Sequence, residues 1–105
     1  MNLDPFRATP FSTLRLNANT IAGAAPLLPN LPHGSGTQVR LWNRGTVAAR
    51  IEFGNKAAMA LPDATSMALP AGAVEIRTLQ QGERFVAVLG DGGAPDVEIT
   101  VGFGF

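Results

Sequence analysis

The chain has 105 residues, enough for one hydrophobic core and too few for two that would each hold together. Eight Lys or Arg against eight Asp or Glu leave no net field to draw in nucleic acid, an anionic membrane or an acidic substrate, and the lack of Cys excludes disulfides and thiolate metal sites. Charged residues make up only 15%, where about 25% is usual, a weak defence against self-association unless other protein covers part of the surface.

Residues 1–12 read as an extended arm ahead of a single domain over 13–105. Pro5 and Pro10 remove backbone donors and favour extended chain, and Phe6 and Phe11 are the arm's ring-bearing anchors, suited to docking on a neighbouring subunit. Met1 to Arg7 carries no basic flank followed by an apolar run, and no stretch approaches the roughly 20 apolar residues of a spanning helix. A soluble protein without a secretion signal is expected.

Thr13–Ile21 sets Leu14, Leu16 and Ala18 against Arg15, Asn17 and Asn19, which predicts a first half-buried strand. Gly23–Gly36 holds Pro26, Pro29 and Pro32 and predicts a long loop. Val39, Leu41 and Asn43 then alternate with Arg40, Trp42 and Arg44, and Val47, Ala49, Ile51 and Phe53 continue the apolar side. Asn43-Arg44-Gly45-Thr46 between these runs predicts a hairpin with Gly45 at positive φ, and places Trp42 beside Arg40, Arg44 and Arg50.

Met59-Ala60-Leu61-Pro62 and Met67-Ala68-Leu69-Pro70 predict two short edge segments, with a helical turn around Lys56–Leu61 as an alternative for the first. Val74–Leu79, Arg84–Leu89 and Asp96–Phe103 are the remaining strands, joined through Gln80-Gln81-Gly82-Glu83 and Gly90-Asp91-Gly92-Gly93-Ala94-Pro95. About seven or eight short strands give an all-β fold. Sandwich and partly open barrel share this period of two; a small antiparallel β-sandwich, jelly-roll-like, with the N-terminal arm extended from it, is the expected architecture.

Nothing in the sequence assembles a catalytic set. The single His, His33, would have to meet Ser12, Ser35 or Ser66 with a carboxylate behind it, and no spacing suggests this. Glu52, Glu75, Glu83 and Glu98 stand singly on outward strand positions or in turns, and Asp91–Asp96 offers two carboxylates where a Ca²⁺ site wants six to eight oxygens. Gly34-Ser35-Gly36 opens no helix that would bind a phosphate. Arg40, Trp42, Arg44 and Arg50 read as a packed Trp under arginine stems; one aromatic is a poor platform for single-stranded nucleic acid. The expectation is a non-enzyme without cofactor or metal, acting through protein contacts, with no nucleic-acid or membrane partner. Phe6, Phe11, Arg40, Trp42, Arg44, Arg50 and Phe105 are the candidate interface residues; Phe103 divides between core and surface.

Val39-Arg40-Leu41-Trp42-Asn43-Arg44-Gly45-Thr46, Phe53-Gly54, Met67-Ala68-Leu69-Pro70-Ala71-Gly72-Ala73-Val74-Glu75 and Phe85-Val86-Ala87-Val88 together resemble small structural β-sandwich proteins of tailed-bacteriophage virions. The resemblance covers roughly two thirds of the chain and rests on strand and turn grammar. It implies a capsid decoration or cement subunit on the virion surface, assembled in the host cytoplasm, a homo-oligomer (dimer or trimer) that contacts the major capsid protein or other virion subunits. The alternative is a head-tail or fibre-associated sandwich that binds a ligand such as carbohydrate, with Trp42 as the stacking ring.

Overall fold

The computed structural model describes residues 7–29 and 37–103. Among these residues the chain forms seven strands: β1 (Arg7–Leu16), β2 (Thr37–Asn43), β3 (Ala49–Gly54), β4 (Met67–Leu69), β5 (Val74–Thr78), β6 (Phe85–Gly90) and β7 (Val97–Phe103). They build two antiparallel sheets, one of four strands in the order β1-β7-β2-β5 and one of three in the order β4-β3-β6. This is the all-β sandwich expected from the alternation, and two separate sheets exclude the barrel.

The core lies between the sheets. Val39 and Leu41 on β2 and Val97, Ile99 and Val101 on β7 face Ala49, Ile51 and Phe53 on β3 and Val86 and Val88 on β6. Leu69, Leu28 and Leu79 close the margins. Because side chains alternate across a strand, the intervening Arg40 and Trp42 are turned to the outer face of the four-stranded sheet.

The expected hairpin does not form: β2 and β3 lie in different sheets. Both strands carry a continuous apolar side, and each layer needs one of them to cover the other. The chain therefore crosses the end of the sandwich, and the buried Asn43 holds the crossing. Its Nδ2 donates to the carbonyls of Val47 and Leu69, 2.8 Å each, and its Oδ1 accepts from Gly45 N–H at 3.0 Å. Gly45 does not adopt positive φ; it is small because a Cβ would come within 3.1 Å of Asp96 Cβ.

Other boundaries move too. The first strand runs over Arg7–Leu16, not over 13–21, so β1 takes in part of the expected arm. Met59–Pro62 is irregular, with a single turn closed by Met59 N–H to the Lys56 carbonyl, whereas Met67–Leu69 is an edge strand as expected. The turns before β5 and β6 follow the sequence closely. Ala73 N–H bonds to Pro70 O and Glu83 N–H to Gln80 O, and Gly72 and Gly82 stand at the third turn position with φ of 80° and 89°, where any other residue would be strained.

Glu75 is the instructive reversal. Pairing with β2 sets it opposite the inward Leu41, and opposite residues share a face, so Glu75 and Arg77 take the core side of β5 and Val74 and Ile76 the outer side. Four strands packed on three leave the β5 margin less covered, and polar side chains tolerate that position. Arg77 caps the margin, with its guanidinium 4.8 Å from the Phe53 ring centroid and 3.8 Å from Glu83.

Candidate functional site

Ladder register arranges the outer face of the four-stranded sheet in rows. Val74, Trp42, Glu98 and Arg15 form one row, and Ile76, Arg40, Thr100 and Thr13 the next. At the β5 end of these rows Trp42, Val74 and Ile76 make an apolar patch, 39%, 56% and 45% exposed. Three large apolar groups side by side on a sheet surface differ from the scattered exposed residues that any protein carries.

Charge is held around the patch, not spread over it. Arg44 lies 5.3 Å from the Trp42 ring centroid while its Nη1 donates to Glu98 Oε2 at 2.9 Å, so the ion pair with Glu98 fixes the one guanidinium that lies over the ring. Arg15 makes a two-pronged contact with Asp96, Nε to Oδ1 at 2.9 Å and Nη2 to Oδ2 at 3.0 Å. That guanidinium, through its hydrogen bond first and its charge second, holds the Asp96 carboxyl below the ordinary carboxylate range and raises its own value in return. These fixed pairs border the patch with satisfied polar groups.

The candidate residues do not converge on one place. Arg40, Trp42 and Arg44 share the outer face of the four-stranded sheet. Arg50 belongs to the other sheet, where its Nε sits 3.4 Å from Asp91 and its Nη1 donates to the Ser66 carbonyl at 3.1 Å, so it ties down the 64–66 loop and is no part of the Trp42 cluster. Phe11 projects from β1, at the edge of the sheet opposite β5. Phe6 and Phe105 lie outside the described residues.

Phe11 owes its position to a bulge. Between the pairs Ala8 with Gly102 and Thr13 with Thr100, β1 inserts Thr9-Pro10-Phe11-Ser12 opposite Val101 alone. The Thr9 hydroxyl donates to the Val101 carbonyl at 3.0 Å, and the Ser12 hydroxyl lies 2.8 Å from the same oxygen. Phe11 at the tip takes φ of 55° and is 94% exposed. A bulky residue in the left-handed region costs on the order of 1 kcal/mol, which the hydroxyl anchors on both sides offset.

Val74 and Ile76 escaped sequence reasoning, since their alternation reads as the buried side of a strand. Only the register with Leu41 turns them outward. On the other sheet, an open depression of about 230 Å³ lies between Phe53, Glu52, Met59 and Asp63. There Asp63 Oδ1 accepts from both the amide and the hydroxyl of Thr65, which lowers its pKa. Ser66 Oγ accepts from Asp63 N–H, and His33 and Ser35 lie outside the described residues. Among the described residues no three His, Cys, Asp or Glu side chains are grouped to hold a metal ion. No family model matches the chain, and no curated protein matches it either.

Proposed function

We propose that this protein is a structural subunit that acts by contact and transforms no substrate, attached to the shell of a tailed-phage virion as a decoration or cement protein. The observation that carries the reading is the Trp42, Val74 and Ile76 patch, bordered by Arg44 and Glu98, on a surface poor in charge. Trp and Arg are the residues that most often dominate binding energy at protein interfaces. The strand and turn likeness to virion sandwich proteins supplies the class of partner. A subunit of this kind covers seams between shell proteins, and its effect multiplies over many copies.

The test is to add purified protein to shells of the parent phage that lack it. Binding in symmetric stoichiometry and a higher shell disruption temperature are expected. Trp42→Ala should weaken attachment by about 2 kcal/mol or more while the isolated domain still folds. Shells that bind no protein, or bind it without gaining stability, would end this reading.

A further inference from the structure

The two strands at the margins of the four-stranded sheet are β1 and β5, and β5 has a sequence that complements itself. Hydrogen-bonded pairs alternate along an antiparallel ladder. Leu79 N–H bonds to Thr37 O and Asn43 N–H to Ala73 O, which fixes the odd-numbered residues of β5 as those bonded to β2. The N–H and C=O groups of Val74, Ile76 and Thr78 therefore point away from the sheet. Among the described residues no backbone bond reaches them.

We propose that β5 pairs with β5 of a second copy of this chain, antiparallel about a two-fold axis through Ile76, so that two four-stranded sheets become one of eight. In this register Ile76 faces Ile76, Val74 faces Thr78, and Glu75 faces Arg77. All three outward backbone pairs are used in both copies. The ladder parity makes the Ile76 pair a hydrogen-bonded one and places Glu75 and Arg77 in the closer, non-hydrogen-bonded pairs, where side chains interact best. The charge match is then made twice, once on each side of the axis. Glu75 has no ion-pair partner among the described residues, and Arg77 stands on the same face of its strand. On the outer face the Val74 and Ile76 side chains of both copies form one strip flanked by the two Trp42 rings.

Occupancy by a copy of itself is favoured over a foreign strand because β5 supplies both the acid and the base of the match in this one register: a slip of one residue breaks the face alternation, and a slip of two would set Glu75 against Glu75 or Arg77 against Arg77. Five residues make a short seam, so the dimer belongs at the small end of specific interfaces, below about 1,200 Å² in total. The inference does not depend on shell attachment, and its test uses the isolated full chain.

Sedimentation velocity over a concentration series at low salt should show a monomer–dimer equilibrium. Ile76→Pro removes an outward N–H that β2 does not use, and should leave the protein monomeric with its thermal transition retained. Glu75→Arg should raise the dimer dissociation constant about tenfold, through two like-charge pairs, and adding Arg77→Glu should restore it. The chain has no Cys, so Ile76→Cys gives a clean cross-link: Cα atoms about 5.5 Å apart at such a pair suit a disulfide, and mild oxidation should yield a covalent dimer. A wild-type chain that stays monomeric throughout overturns the proposal. So does a dimer indifferent to Ile76→Pro, to Glu75→Arg and to the cysteine at position 76. If the proline variant fails to fold, the charge reversal and its rescue decide alone.

Discussion

The outer margins of β6 and β5 are both strand edges, and the chain treats them differently. Along β6, the segment Asn19–Leu28 answers the outward backbone groups one after another. Thr20 N–H bonds to Val88 O at 2.9 Å and Thr20 Oγ1 accepts from Val88 N–H at 2.9 Å. Asn19 Oδ1 accepts from Gly90 N–H, Val86 N–H bonds to Pro26 O, and Leu28 N–H bonds to Arg84 O. Along β5 no such strap is found among the described residues. An unpaired edge is a hazard that proteins usually cover or charge. A chain that seals one edge with irregular, proline-bearing backbone and keeps the other as a self-complementary strand has separated the side that must not pair from the side that can.

Leu28 is the test with the largest expected effect. It pins the strap into the core at 1% exposure, and Leu28→Ala should cost about 2 to 5 kcal/mol of unfolding free energy in a denaturant titration. It should also unmask β6 and raise aggregation. If stability barely changes, the strap is not held by the core and the contrast between the edges weakens.

Asn43 plays the corresponding part on the open side, because it leads into the β5 turn through Gly72 N–H to its carbonyl at 2.7 Å as well as holding Val47 and Leu69. Asn43→Ala would strand buried carbonyls, and a loss of about 2 to 3 kcal/mol is expected from thermal or chemical unfolding. A neutral outcome would mean that the crossing between sheets is fixed by packing alone.

Thr20→Val removes one strap bond and should cost about 1 kcal/mol. Hydrogen exchange gives the sharper view: the Val88 amide should exchange faster in this variant. In the wild type, Val74, Ile76 and Thr78 amides should be less protected than those of Val86 and Val88 at low protein concentration. Equal protection at both edges would remove the distinction.

The smallest effect lies at Arg15 and Asp96, a surface pair with Arg15 exposed and Asp96 partly covered. Because Asp96 titrates lower in the fold than its ordinary value of 3.8, its pairing stabilises the protein above that pH and is lost as pH falls through the folded value. The stability gap between wild type and Arg15→Gln should accordingly be open near neutral pH and close in acid. A gap that persists in acid would assign the effect of Arg15 to packing.

Trp42 and Arg44 were legible as a surface pair from the sequence, because β2 alternates strictly and its apolar side is unambiguous. Arg50 was not, since its place beside Trp42 presumed a hairpin, and a turn sequence cannot reveal whether the next strand stays in the layer or crosses to the facing one. Asn19 read as the polar side of a strand running to Ile21, and the bonds that it and Thr20 make to β6 depend on a neighbour some 70 residues away.

What the residues by themselves determined was local: period-two strands with Val, Ile and Leu on one side, and turns at Pro70–Ala73 and Gln80–Glu83 whose glycines accept a backbone closed to other residues. These follow from sterics and solvent within a few positions. Which strands become neighbours, and so which way Val74 and Ile76 point, was decided only by tertiary pairing, because β5 takes its facing from Leu41 across the ladder and not from its own apolar side. Register is a contact between distant segments, and a strand that is apolar on one side and charged on the other fits either orientation until a partner chooses.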